Sequence, residues 1–289
     1  MLAATRGQDL QLILTRFGVE RLLYRLGHLS ESARFVLKGA ALFYLWEDEI
    51  PRPTQDVDFL GFGDSSPEAV AQLFRDVCRV AVVPDGLIFV ASSVKAARIR
   101  GRQEYGGVRV KLTATLGGAR VPLQVDVGFG DAVTPRPTEV EFPTLLDFPA
   151  PRVRAYPPET VVAEKFQAMV VLGIANTRTK DFFDLFHLAE THEFNGAILA
   201  EAIGATFHRR RTAIPAAPPL ALTPAFSQDA EKTAQWNAFL QRGRLEAPSS
   251  FVAVIERIAA FVLPPTSAAL ERRSFETRWS PSTGWSATK

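Results

Sequence analysis

Near residue 150 the hydrophobic period of this chain changes from two to 3.6, and that change constrains its fold more than any other feature. Before it, Leu87 to Val94, Val108 to Thr115 and Val121 to Val127 are β-branched runs separated by glycine turns at Gly106-Gly107 and Gly117-Gly118, the pattern of an antiparallel meander. After it, residues 159 to 172, 178 to 193, 195 to 208, 228 to 242 and 249 to 262 carry the apolar spacing of helices. The expected class is α+β, with a mixed-sheet domain over 1–150 and a helical domain over 151–265. Past Pro265, Ser, Thr and Arg occur without periodicity, so 266–289 is expected as a partly ordered tail in which Trp279 and Trp285 argue against complete disorder.

The first domain reads in finer detail. Residues 8 to 26 space Leu10, Ile13, Phe17, Leu22 and Leu26 as an amphipathic helix. Arg34 to Leu37 is a short strand running into Lys38-Gly39, and Ala40 to Trp46 has helical composition that Pro51 and Pro53 prevent from continuing. Gln55 to Leu60 is a second strand, ended by the Gly61-Phe62-Gly63-Asp64 turn, and Pro67 to Val80 is a helix. The meander is expected beside these two strands.

Composition excludes several classes. With 47% hydrophobic and 22% charged residues the chain is neither disordered nor fibrous, and its single cysteine, Cys78, can build neither an internal disulfide nor a thiolate metal site. A net charge of +2 allows an anionic partner without demanding one. No apolar run approaches the roughly 20 residues of a bilayer span, and residues 1 to 9 lack a signal-peptide pattern, so a cytoplasmic protein with no membrane partner is expected.

Chemistry concentrates in Arg52-Pro53-Thr54-Gln55-Asp56-Val57-Asp58-Phe59-Leu60. On a strand, Asp56 and Asp58 share one face while Val57 and Phe59 share the other. Two neighbouring carboxylates repel unless a cation lies between them, and Mg2+ (or Mn2+), which prefers oxygen ligands and binds substrate phosphates, suits that place. Upstream, Phe35 to Leu42 reads as a strand, a glycine turn and a helix start, a geometry that aims backbone N–H groups at phosphate oxygens. Downstream, Asp126 lies in the otherwise apolar run Leu123 to Val127, so its charge requires either a cation or an arginine partner. Three carboxylates holding divalent ions can activate an attacking hydroxyl and stabilise leaving pyrophosphate, without a covalent nucleophile.

In the helical half, Lys165 lies among apolar positions of Glu159 to Met169, where a lysine either snorkels or serves a site. Asp181 and Asp184 flank the start of the next helix, a position where acids also stabilise the dipole. Arg98, Arg100 and Arg102 alternate, which would put them on one strand face beside the carboxylates. Arg209, Arg210 and Arg211 end a helix. Either set could grip an RNA backbone, and the second could equally be a solvated helix end.

Taken in order, Lys38-Gly39, Arg52-x-Thr54-x-Asp56-x-Asp58, Ala163-Glu164-Lys165 and Arg178-x-Lys180-Asp181-x-x-Asp184-Leu185 resemble the AbiEii/AbiGii-type nucleotidyltransferase toxins, which include the MenT toxins. Leu222-Thr223-Pro224-x-Phe226 and Gln235-Trp236-x-x-Phe239 extend the likeness, which runs from about residue 10 to 260. The resemblance implies a polymerase-beta-like nucleotidyltransferase domain closed by a helical domain. It further implies transfer of a nucleoside monophosphate from an NTP to the 3′ end of tRNA, in a type IV toxin–antitoxin system with a cognate antitoxin. By motif position Lys38, Gly39 and Thr54 would bind nucleotide, Asp56, Asp58 and Asp126 metal, and Lys165 and Asp181 would complete catalysis, Lys165 either on phosphate or in proton transfer. One departure is Ala40-Ala41, where many relatives carry a second glycine and a hydroxyl residue; backbone donors would have to compensate. It keeps open a noncatalytic nucleotide- or partner-binding module on the same fold. Nucleotidylation of a protein or small-molecule hydroxyl is a further alternative.

Overall fold

The computed structural model describes residues 9–47, 50–99 and 106–287, and the chain divides into two units, 1–131 with 137–156, and 132–136 with 157–289. The first unit is built on strands β1 (Phe35–Lys38), β2 (Asp56–Gly61), β3 (Leu87–Phe89), β4 (Lys95–Ile99), β5 (Gly107–Leu116), β6 (Ala119–Phe129), β7 (Thr138–Glu141) and β8 (Arg152–Ala155). They form one sheet in the order β3-β5-β6-β2-β1-β8-β7, with β4 also paired to β5. The sheet is mixed: β2 runs parallel to β6 and β1 to β8, while the other pairs are antiparallel.

Strict alternation in β5 and β6 buries Val108, Val110, Leu112, Ala114, Val121, Leu123, Val125 and Val127 on one face. The helices Leu10–Gly27 and Pro67–Arg79 pack on these strands. Asp9 caps the first of them by accepting from the Gln11 and Leu12 N–H groups, and Ser66 caps the second through the Ala69 N–H. The segment expected as a helix from Ala40 begins instead as a 3-10 turn over Gly39–Leu42 and becomes α-helical only at Phe43–Trp46. Beneath the first helix lies a buried ionic knot. Arg25 donates to both Asp85 oxygens at 2.6 and 3.0 Å, Arg21 donates to the same carboxylate at 3.2 Å, and Glu20 accepts from the Leu145 N–H at 2.7 Å.

The second unit packs the helices Pro158–Leu172, Thr179–Thr191, Gly196–Arg209, Ala230–Gly243 and Phe251–Glu271 around an aromatic core of Phe182, Phe183, Phe226, Trp236 and Phe251. Thr134 belongs here because its N–H and carbonyl both bond the Thr160 hydroxyl. Where the sequence reads as an aperiodic tail after Pro265, the described residues as far as Ala287 include a helix end and two strands. The last helix continues through Pro264 and Pro265 to Glu271, and β10 (Thr277–Ser280) and β11 (Gly284–Ala287) form a hairpin that pairs with β9 (Phe194–Asn195). Aromatic packing overrides the aperiodicity: Trp279 is buried against Phe261 and Trp285. The helix Phe251–Glu271 is long and apolar enough to cross a bilayer, which the sequence reading did not anticipate. Val254, Ile258, Phe261 and Val262 are nevertheless fully buried inside its unit, as in a core helix.

Candidate active site

Strand register assembles the first cluster. Lys38 on β1 pairs with Asp58 on β2, Asp58 with Asp126 on β6, and Asp126 with Arg109 on β5. Residues directly opposite on paired strands project to one side, so these four stand in a row, with Asp56 one row away on the same side. The turn after β1 fits against this row. Gly39 has φ +72°, and a methyl group there would lie 2.1 Å from Asp58 Oδ2, so the Asp58 carboxylate occupies the space a side chain would take. Both the backbone angle and the contact demand glycine.

Each charge in the row is answered. Lys38 Nζ donates to Asp131 Oδ2 at 2.9 Å and lies 5.3 Å from the centre of the Tyr156 ring. Asp56 Oδ1 accepts from the Thr54 hydroxyl at 3.2 Å. Arg109 makes a two-pronged pair with Asp126, Nε to Oδ1 at 2.8 Å and Nη2 to Oδ2 at 2.6 Å. Hydrogen bonding to Asp126 raises the Arg109 pKa above its ordinary value, and the charges of Asp126, Asp56 and Asp58 add in the same direction. Arginine is thus the partner that a lone aspartate in an apolar strand required. Among the described residues no three His, Cys, Asp or Glu side chains converge on one cation position. Asp56 and Asp58 retain the oxygen chemistry of a hard-cation site, while Asp126 is paired with Arg109.

A second cluster lies wholly within the helical unit. Lys165 Nζ sits 2.9 Å from Asp181 Oδ1 and 2.8 Å from Asp184 Oδ2, and both carboxylates are buried. Arg178 Nε approaches Asp181 Oδ2 to 2.6 Å, close enough for an ion pair though not aligned as a hydrogen bond. Lys165 therefore does not snorkel; it is held by two acids on the neighbouring helix.

The basic residues separate. Arg98 pairs with Val108, which faces the buried side, so Arg98 lies on the side of the sheet away from the carboxylates. This corrects the expectation that its strand face adjoins them. Arg100 and Arg102 lie outside the described residues. Arg210, half-buried, is tied to Glu164 at 3.2 Å and to Gln167 Oε1 at 3.0 Å, whereas Arg209 is exposed. Sequence reasoning missed Asp131 and Arg109, the partners of Lys38 and Asp126.

A mixed sheet that carries two aspartates on one strand against a glycine turn, followed by a helical unit, is the arrangement expected of a nucleotidyltransferase. Two solved structures from Helicobacter pylori share the fold. One is described as a candidate nucleotidyltransferase, with TM-score 0.53 and 16% identity, covering 91% of this chain and 98% of the other. The other is JHP933, also at TM-score 0.53 and 16% identity, covering 91% and 95%. No curated protein matches the chain. The family model described as nucleotidyl transferase AbiEii toxin, type IV TA system, matches residues 21–271, and the chain belongs to that family.

Proposed function

We propose that this nucleotidyltransferase toxin transfers a nucleoside monophosphate from an NTP to the 3′ end of tRNA, inhibiting translation in the cytoplasm, and that a cognate antitoxin counters it. The acceptor hydroxyl gives up its proton to solvent as its oxygen forms a bond to the α-phosphorus, the bond to the bridging oxygen breaks, and pyrophosphate leaves. The observation that carries this reading is the Asp58 carboxylate packed against a positive-φ glycine directly after Lys38. That arrangement joins a phosphate-approachable backbone to a carboxylate pair. Asp56 and Asp58 would hold Mg2+ or Mn2+, and a bound ion would supply charge neutralisation at the triphosphate. Thr54 fixes the Asp56 carboxylate. Lys38 exchanges Asp131 for triphosphate oxygens, and Gly39 lets the chain approach them. Lys165 and Asp181 are proposed as catalytic groups on the chemistry of their own cluster, an ammonium held by two buried acids.

The pairing of Asp126 with Arg109, together with Ala40 and Ala41 in place of a hydroxyl residue, favours one second reading, a binding module without turnover. Purified protein is incubated with Mg2+, each labelled NTP and total tRNA or protein extract, beside Asp58→Ala. Label on tRNA that vanishes in the variant is the expected result. Label only on protein or small molecules moves the acceptor to another hydroxyl, and no label with any NTP or metal supports the second reading.

A further inference from the structure

Strand pairing sorts the basic residues of the sheet by face. Lys95, Lys111, Gln124 and Asp56 form one row across β4, β5, β6 and β2, next to the row of Ala97, Arg109, Asp126 and Asp58. Farther along the same side, Thr113 pairs with Pro122 and Thr115 with Arg120. Lys95, Lys111 and Arg120 are exposed, while the opposite side of β5 is core, with Val108, Val110, Leu112 and Ala114 at most 3% exposed. Asp56, Asp58 and Asp126 are the only acids that these four strands place on this side, all in the two rows at one end. Beyond those rows the strip carries Thr113, Pro122, Thr115, Arg120 and, paired with Thr115 on β3, the exposed Ile88, with no acid among them. From Arg109 to Thr115, β5 rises roughly 20 Å.

We propose that this open face is the track for the acceptor RNA, its 3′ end at Asp58 and its preceding phosphates passing over Lys111 and Lys95 towards Arg120. The proposal rests on the nucleotidyl-transfer reading and names the residues that hold its acceptor. A polynucleotide suits the strip because its negative charges recur along its length, and because the reacting hydroxyl is its terminus. The strand therefore has to lead away from the carboxylates in one direction. Lysines and an arginine at that spacing neutralise backbone phosphates without reading bases, and the threonine hydroxyls donate to the same oxygens.

The test compares the full chain, the triple variant Lys95→Glu with Lys111→Glu and Arg120→Glu, and Arg98→Glu on the opposite side. Binding of a single-stranded RNA ending in a 3′ hydroxyl is followed by fluorescence anisotropy between 50 and 200 mM salt, with NTP binding and thermal unfolding measured on the same samples. The triple variant is expected to lose about 30-fold or more in RNA affinity and to flatten the log–log salt slope by about 2, near 0.7 for each cation removed. NTP binding should stay within about twofold and Arg98→Glu within about threefold. If charge reversal unfolds the chain, Lys95→Gln with Lys111→Gln repeats the comparison, with a slope change of about 1.4 expected. RNA labelling and affinity equal to the unmodified chain in the triple variant overturn the track and leave the transfer reading standing. A chain that labels protein but never RNA overturns the transfer reading itself. Polyglutamate binding as tightly as RNA of equal charge would overturn the assignment in favour of an acidic protein partner.

Discussion

Gly39 is where backbone conformation and chemistry meet: its positive φ turns the chain after Lys38, and its missing side chain admits the Asp58 carboxylate. Gly39→Ala must therefore displace Asp58 or distort the turn. A displacement near 1 Å typically costs about 100-fold in turnover, so nucleotidyl transfer should fall by that order while circular dichroism still reports a folded sheet. Activity within threefold of the unmodified chain would sink this reading. Arg109 acts with the opposite sign, since its guanidinium holds Asp126 and adds positive charge beside Asp56 and Asp58. Arg109→Gln should tighten binding of Mn2+ to the nucleotide-free chain roughly tenfold, because removing one such charge is worth on the order of 1 kcal/mol at intermediate dielectric. Calorimetric titration measures it, and unchanged or weaker binding would count against a cation site at these acids. The Arg109–Asp126 pair was legible in principle. A two-residue Gly117-Gly118 turn sets Leu116 opposite Ala119, and counting back along both strands sets Arg109 opposite Asp126. Asp131 was not, because it follows the end of β6 in a segment with no pairing register that could bring it to Lys38.

Among the elements, the last helix shows why a local rule failed. Proline lacks the N–H that continues a helix, so Pro264 and Pro265 read as a stop, yet the helix runs on to Glu271. Pro265 leaves the Phe261 carbonyl without its usual donor four residues on, and the Trp285 indole supplies one at 2.9 Å. The Trp279 indole does the same for the Ala189 carbonyl in the last turn of Thr179–Thr191, also at 2.9 Å. The hairpin expected as tail thus completes two helices, through donors that no periodicity analysis can foresee. Trp285→Phe keeps an aromatic ring and removes the donor, so it should destabilise the chain by about 1–3 kcal/mol. Urea denaturation reads this directly, and a loss below about 0.3 kcal/mol would mean that the indole bond is dispensable. The strands and helices flanking the site were clearer in sequence because their periods of two and 3.6 answer to burial alone. The bounds of β2, β5 and β6 accordingly fall within two residues of those expected.

Over the whole molecule the charges nearly balance, 33 basic against 31 acidic, so the pH response of stability is set by a few acids rather than by global repulsion. Burial raises Glu20 above its ordinary 4.5, outweighing the Leu145 N–H and Arg21, and burial likewise raises Glu159 in the second unit. For such groups the native state holds more protons, so stability falls as pH rises from 4.5 through the raised values. Asp85 has the other sign. Burial pushes it up, but bonds from Arg25, the Leu87 N–H and Arg21 outweigh that and leave it below 3.8. Its contribution is whole above 3.8 and is lost as pH falls through the folded value. Glu31, bonded by Ser30, Asp64, bonded by the Ser66 N–H, and Glu271, bonded by Arg273, are also lowered and act in the same direction. The unfolding temperature should therefore rise as pH is lowered through the raised glutamate values towards 4.5 and fall again below about 3.8, which differential scanning fluorimetry can follow. Glu20→Gln should flatten the first limb. Asp85→Asn should flatten the second, at a cost of about 3–5 kcal/mol at neutral pH, because Arg21 and Arg25 then stay buried without their carboxylate. A midpoint that declines steadily from pH 7 downward would mean that the buried glutamates are charged in the fold without penalty, and that the ionic knot beneath the first helix alone governs the response.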